Sequence, residues 1–337
     1  MNEPLDLSVI IVNWNTAEAL AECLRAVIAD FRLPISDSRL GNQQSAIEII
    51  VVDNGSTDGS AARVRRDFPQ VTLIANSQNV GFATASNQGL RLARGRYLLL
   101  LNPDTVPRPG ALAALVAFMD THPEAGIAGP RLLYPDGSLQ PSGHPAPTLL
   151  SELQDVLAWY RLTGRPRFWR SGRDYSQIEE VGIVSGACLL IRRETVQEIG
   201  LLDAGFFMYY EDADWCLRAR QHDWKVYYVP QAKVVHYLAL SSEQQPEPRL
   251  VEAYFHSRMR YFRKHHSPLS LWVLRGALLI TSLTKLIVLG LAGLWRRDPR
   301  VLLGLAAHQR IVALCLGLAR PVRSPGSDRA GEVGDDA

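Results

Sequence analysis

Four times in its first third, the sequence runs through consecutive apolar residues, stops on a short polar cluster and resumes with helical spacing. "LSVIIV" ends on Asn13, Trp14, Asn15 and Thr16, and "AEALAECLRAVIAD" then sets Leu20, Leu24 and Val27 on one side of a helix. "IEIIVV" ends on the turn that begins at Asp53 and includes Thr57, with Asp58 or Ser60 placed to cap a helix that runs to Phe68. "VTLIAN" leads to the turn Asn79, Val80, Gly81 and Phe82, and "YLLLL" stops on Asn102, Pro103 and Asp104. Apolar runs without polar alternation are strands buried on both faces. Their alternation with helices predicts an α/β fold with a mainly parallel, doubly wound sheet. Ligands of such sheets bind outside the carboxyl ends of the strands, so the four polar turns share one edge and form a candidate site.

Downstream, a helix is expected from Gly110 to about Asp120, and "AGIAGPRLLYPDGSLQPSG" reads as a hairpin turning at Pro135, Asp136 and Gly137. Residues 144–180 are rich in Trp, Arg and Pro and read as a variable insertion beside an acceptor. "VGIVSGACLLIRRETVQEIG" returns to strand and helix, "FFMYYEDADWCLRARQHDW" is an acidic turn entering a helix, and "KVYYVPQAKVVHY" reads as a strand pair ending near His236.

A formal net charge of +2 gives no reason to expect a nucleic-acid partner, although Lys and Arg crowd into the C-terminal third. Cys23, Cys188, Cys216 and Cys315 are far apart and form no CxxC pair. Together with an N-terminus that lacks the pattern of a secretory leader, they lead to the expectation of a reducing compartment without a disulfide framework or structural zinc.

Carboxylates mark the candidate edge. Asp53 either accepts hydrogen bonds from a base or ribose or closes an Asx turn. Asp104 is either turn punctuation or a ligand that holds a divalent cation against a diphosphate. The sequence has neither a Walker lysine loop nor GxGxxG, so a cation would carry more of the charge neutralisation. In "YYEDADW", acids at a helix N-terminus gain about 0.3 to 1 kcal/mol each, which suits Asp214. Glu211 and Asp212, flanked by Tyr209, Tyr210 and Trp215, point instead to a sugar platform with a proton acceptor beside it, Tyr210 and Trp215 meeting the acceptor. His236 is either a structural histidine or, folded back to Asp104, a second metal ligand.

Taken together, "VIIVNWN", "VVDNGSTDGS", "NVGFATASNQGL", "LLLLNPDT", "SGACLLIRRE" and "FFMYYEDADWCLR" resemble glycosyltransferase family 2, and most closely its bacterial rhamnosyltransferase-like members, over residues 7–237. The resemblance implies a GT-A fold, a nucleotide-diphospho-sugar donor, Mg2+ or Mn2+, and inversion at the anomeric carbon. By motif, Asn15 and Asp53 are similar to nucleoside contacts, with Asn79 assisting. Asn102 and Asp104 stand at the two ends of the family's metal motif, the first being Asn where the family has Asp. Asp212, with Glu211 beside it, occupies the position of the catalytic base, and His236 is similar in placement to a metal-binding histidine of some members. The implied reaction is transfer of L-rhamnose from dTDP-rhamnose to a polyprenyl-linked or other saccharide acceptor in cell-surface polysaccharide synthesis. Galactofuranosyl or other hexosyl transfer is the alternative, as is a non-catalytic nucleotide-sugar-binding protein.

The C-terminal third differs in character. "RMRYFRKHH" interleaves Arg258, Arg260, Arg263 and Lys264 with Tyr261 and Phe262. In the apolar residues 276–294, ten Leu, Ile and Val at about −0.3 to −0.6 kcal/mol each are largely offset by Lys285 at roughly +2.5 to +3.5. The preferred reading is a helix lying in the interface at the cytoplasmic face of the plasma membrane. Arg275 and Lys285 would snorkel there, and the basic cluster would meet anionic head groups, although Leu278 and Leu289 interrupt the polar stripe. The alternatives are a helix that spans the bilayer, against which Lys285 counts, and a soluble helix packed on residues 301–318. The expected organisation is a catalytic domain at 1–240, a helical membrane-associating region at 241–320 and a disordered tail at 321–337.

Overall fold

The structure is a computed structural model that describes residues 5–32, 47–157, 175–237, 248–295 and 299–318. The expected tail and residues 158–174 of the expected insertion lie outside the described residues. The strands are β1 (Leu7–Asn13), β2 (Ile47–Asp53), β3 (Thr72–Ala75), β4 (Tyr97–Leu101), β5 (Thr105–Pro107), β6 (Ala125–Leu133), β7 (Leu139–Gln140), β8 (Gly143–His144), β9 (Glu179–Glu180), β10 (Ile183–Val184), β11 (Cys188–Arg192) and β12 (Lys225–His236). The helices are α1 (Ala17–Arg32), α2 (Ser60–Asp67), α3 (Phe82–Leu92), α4 (Ala111–Thr121), α5 (Leu149–Val156), α6 (Arg193–Ile199), α7 (Glu211–Gln221), α8 (Pro248–His265), α9 (Pro268–Trp295) and α10 (Pro299–Cys315).

The described residues fall into two compact units, the first within residues 1–146, 174–204 and 211–244, the second within 147–173, 205–210 and 245–337. The first unit is built on one mixed sheet in the order β3-β2-β1-β4-β11-β6-β12-β5, with β7 added to β6 and β9 to β12. Every residue of β1 and of β4 is buried, as uninterrupted apolar runs require. The parallel registers Ile11↔Leu101 and Asn13↔Asp53 bring the carboxyl ends of β4, β1 and β2 side by side, so the expected edge exists. The switch comes at β11, which runs antiparallel to both β4 and β6.

One element differs from expectation. Residues 225–236 form a single strand rather than a strand pair: β12 runs parallel to β6 with Val229↔Pro130 followed by Lys233↔Arg131. The extra residues 230–232 are looped out at Pro230, which has no amide proton for the ladder. The expected hairpin is present. Gly137 turns it at φ 83°, and β7 returns antiparallel to β6.

In the second unit α9 packs on α10. Leu278 is buried on that side, and a Cβ at Gly304 would stand 3.0 Å from Leu289 Cδ1. Arg275 donates to the carbonyl of Cys315 at 2.9 Å. The stripe expected to face head groups is therefore the face α9 turns to its neighbour, which corrects the snorkelling assigned to Arg275 and explains the two interrupting leucines. The basic and aromatic run of α8 is corrected as well: Arg258, Tyr261 and Phe262 are buried, while Arg263 and Lys264 are exposed.

Candidate active site

The turn after β2 is organised by Asp53. Its Oδ1 accepts from Asn13 Nδ2 at 2.9 Å and its Oδ2 from the Ser56 amide at 3.1 Å, an Asx turn closed across two parallel strands. Asn15 sits in the left-handed region at φ 54°, a conformation its short polar side chain tolerates, and its Oδ1 accepts from the Thr57 amide at 2.8 Å. Asn79 Oδ1 accepts from Asn54 Nδ2 and the Gly81 amide, both at 2.9 Å. These three residues build the turns. Their carboxylate and amide oxygens are engaged within the protein, although Asp53 has lone pairs left for a further donor.

Asp104, Asp212 and His236 are connected through backbone. Asp212 Oδ2 accepts from the Gly186 amide at 2.9 Å. The next carbonyl, that of Ala187, accepts from the Asn102 amide at 2.9 Å, and this bond ties the turn after β4 to the loop that holds Asp212. His236 lies opposite Thr105 in the β12 to β5 pairing, and the Tyr237 amide donates to the Asp104 carbonyl at 2.9 Å. The His236 imidazole Nε2 is 3.3 Å from Asp104 Oδ1. Asp104 follows the carboxyl end of β4, His236 closes β12 and Asp212 opens α7, and these hydrogen bonds link residues more than a hundred positions apart in the chain. Gly186, whose amide holds Asp212, was not singled out from the sequence; its only signal is its place in the "SGACLL" turn.

Among the described residues, no group of three or more His, Cys, Asp or Glu gathers as a ligand set. The available donors are the Asp104 carboxylate and the His236 imidazole. Two protein donors leave the other positions of an octahedral shell to water and phosphate oxygens, the usual way a hard divalent cation is held beside a diphosphate. The residues fit such an ion.

The two acids at the start of α7 occupy different environments. Burial raises Asp212 above the ordinary carboxylate range, partly opposed by the Gly186 and Ala213 amides. Burial and then the Asp212 charge push Glu211 from its ordinary 4.5 to about 8, and its Oε2 has no partner among the described residues. Folded Glu211 keeps its proton up to about pH 8 whereas the unfolded carboxyl releases it near 4.5, so the fold binds more protons between those values. Stability therefore declines as pH rises through that window and levels off above it. We expect Glu211→Gln to abolish this slope, its advantage over wild type growing with pH in denaturant titrations.

Trp215 requires a correction. It is fully buried and its indole N–H donates to the Gly200 carbonyl at 3.0 Å, so it is a core residue rather than an acceptor platform. Asp214 pairs with Arg218 at 2.8 Å, a buried i,i+4 contact. Tyr210 belongs to the second unit, where its hydroxyl donates to Glu152 at 3.0 Å.

Residues 8–200 match the family model described as "Glycosyl transferase family 2". The chain belongs to glycosyltransferase family 2. It is 32% identical to an N-acetylglucosaminyl-diphospho-decaprenol L-rhamnosyltransferase of Mycobacterium tuberculosis over 70% of this chain and 82% of the relative. It is 28% identical to the dTDP-rhamnosyl transferase RfbF of Shigella flexneri over 66% of this chain and 73% of that protein. Among solved structures it is similar to the mannosyltransferase PcManGT of Pyrobaculum calidifontis in complex with GDP-Man and Mn2+ (TM-score 0.52, 16% identity, 94% of this chain and 88% of that one). It is also similar to GalNAc-T7 with UDP, GalNAc and Mn2+ (TM-score 0.55, 19% identity, 77% of this chain and 48% of that one). At these identities the structural likenesses establish the fold, which is GT-A. The family 2 glycosyltransferase thus carries its turns on the expected sheet edge, with the C-terminal apolar helix α9 in its second unit.

Proposed function

We propose that this glycosyltransferase moves L-rhamnose from dTDP-rhamnose to a lipid-linked saccharide, with inversion and with Mg2+ or Mn2+, at the cytoplasmic face of the membrane. The observation that carries the reading is the backbone link from Asp212 through Gly186 and Ala187 to Asn102, which joins a proton acceptor to the Asp104 and His236 pair. The rhamnosyl donor and the lipid-linked acceptor rest on the two relatives named above.

In this mechanism Asp212 accepts the proton of the acceptor hydroxyl as the oxygen attacks the anomeric carbon. The Gly186 amide keeps its Oδ2 in place, and burial, by raising its affinity for a proton, makes it a better base. Asp104 and His236 would hold the cation, which when bound supplies positive charge to the departing diphosphate. Asp53 and Asn15 order the turns that meet the nucleoside. The test is transfer by purified protein from dTDP-rhamnose to a GlcNAc-diphospho-lipid, with UDP- and GDP-sugars as controls. Product only from dTDP-rhamnose, with an inverted linkage and loss on chelation, is the expected outcome; a retained configuration or transfer only from another donor overturns it.

Membrane association rests on the face of α9 opposite Leu278. Leu269, Trp272, Ile280, Ile287 and Leu291 recur on one side and are each at least 60% exposed. At 100° per residue Arg275 and Lys285 fall off this side, leaving an uncharged apolar stripe roughly 33 Å long. Residues 248–318 contain eleven Lys and Arg against two Asp and Glu. An apolar stripe on a strongly basic unit suits an anionic lipid surface. We expect Ile280→Asp with Ile287→Asp to lower the fraction that pellets with phosphatidylglycerol vesicles by at least about tenfold, since each loses an apolar burial of about 1.5–3 kcal/mol. Unchanged pelleting removes α9 from this role.

A further inference from the structure

The hairpin at Gly137 carries a side chain to which nothing above gives a role. Its return strand β7 ends at Gln140, which is 6% exposed, and Gln140 Oε1 lies 2.9 Å from Nδ1 of His236, itself 8% exposed. On the other side of the ring, Nε2 is 3.3 Å from Asp104 Oδ1. Both ring nitrogens thus face oxygen. A neutral imidazole has one N–H, so one oxygen receives a hydrogen bond and the other faces a lone pair. The shorter contact is the one to Gln140. Nδ1–H donating to Gln140 leaves the Nε2 lone pair and the Asp104 carboxylate turned towards each other, an arrangement that repels when empty and becomes a pair of ligands around a cation. Histidine ligands generally depend on such an acceptor behind the ring, which fixes the tautomer and the ring plane.

We propose that Gln140 is a positioning residue that holds His236 as the Nδ1–H tautomer, presenting Nε2 beside the Asp104 carboxylate to a divalent cation. This rests on the reading of Asp104 and His236 as the cation-holding pair. It also gives the hairpin a function: β7 and β12 pair with the same residues of β6, Leu132 and Leu133, so the return strand sets Gln140 one strand across from the end of β12 that carries His236. Gln140 touches neither cation nor substrate and acts only through the ring.

The test measures Mn2+ uptake by the full chain, with and without dTDP, from the electron paramagnetic resonance signal of free Mn2+. Gln140→Leu removes the acceptor and is expected to weaken Mn2+ roughly 10- to 100-fold. Gln140→Glu keeps an acceptor on Nδ1 and is expected to bind Mn2+ at least as tightly as wild type. Thermal midpoints are recorded for both, because a merely structural role would lower the midpoint of Gln140→Leu without separating the two variants in Mn2+ affinity. Independently, 15N-histidine spectra of wild type loaded with Mg2+ and dTDP, assigned by the signal lost in His236→Asn, are expected to show a protonated Nδ1 and an unprotonated Nε2. A protonated Nε2 in that state, or wild-type Mn2+ affinity in a folded Gln140→Leu, overturns the proposal. Mn2+ uptake that is absent in wild type, or unchanged in Asp104→Asn, sinks the cation reading beneath it and the proposal with it.

Discussion

Replacing Asp212 by asparagine is expected to slow sugar transfer by roughly 10^2- to 10^4-fold, the contribution of a positioned general base, while the donor dissociation constant stays within about twofold. Asparagine keeps the volume of the side chain and an oxygen to accept from the Gly186 amide, so the loop that ties Asp212 to Asn102 survives. What it loses is a lone pair basic enough to take the acceptor proton. Burial raises the proton affinity of Asp212, and an amide in the same cavity gains nothing comparable. A fall in kcat with an unchanged KM for donor is the pattern of an interaction made in the transition state. Wild-type turnover in the variant would remove Asp212 from the mechanism; equal loss of donor binding would reassign it to the donor site.

The strand ends were legible because burial on both faces leaves an unbroken apolar run, and a run that stops on Asn or Asp marks its own carboxyl edge. Asn13, Asp53 and Asn102 follow from that rule alone, and so does their shared edge. Strand direction was not legible. Nothing in "CLLIR" distinguishes an antiparallel β11 from a parallel one, since both present the same apolar side chains to the same layers. Nor could local pattern show that Pro230 interrupts the ladder of β12 without ending the strand.

Side-chain direction was the second limit. Trp215 stands next to acids in the sequence, but the helix rotates successive residues by 100°, which carries its indole into the core while Asp212 reaches Gly186. The same rotation separates the two faces of α9, so Arg275, read from composition as a snorkelling charge, caps the carbonyl of Cys315 instead. Gln140 and Glu152 went unnoticed for a simpler reason. Each meets its partner about a hundred residues along the chain, and no short-range pattern encodes that separation.

Glu152 leads to the largest expected effect on stability. Its carboxylate is paired with Arg258 in the second unit, and the guanidinium also donates to the Glu152 carbonyl at 3.2 Å and approaches Asp155 at 3.5 Å. Arg258 is 2% exposed and Glu152 6% exposed. Burial pushes Glu152 above the ordinary carboxylate range, a rise that the Arg258 charge only partly offsets. Arg258→Met should therefore cost about 3–5 kcal/mol, because it strands a buried carboxylate that has lost its cation. Glu152→Met should cost less, because the Arg258 guanidinium keeps Asp155 at 3.5 Å. Removing both is expected to recover most of the loss, since the desolvation of two ions disappears along with their attraction. The recovery stays incomplete, because the Tyr210 hydroxyl, which now donates to Glu152 at 3.0 Å, then keeps only the Tyr254 hydroxyl as its partner, and a hydrogen bond to a charged group contributes about 1.5–3 kcal/mol. Adding Tyr210→Phe should remove that remainder, so the triple variant approaches wild-type stability in denaturant unfolding while the single variants do not. Additive losses across the series would mean the three side chains act separately. Non-additive recovery is what a single buried network requires. Tyr209 and Tyr210 both hold positive φ, at 69° and 65°, a conformation that disfavours side chains of their size. The ion pair that receives the Tyr210 hydroxyl thus anchors a strained turn, and the triple variant should lose that anchor even where it keeps its stability.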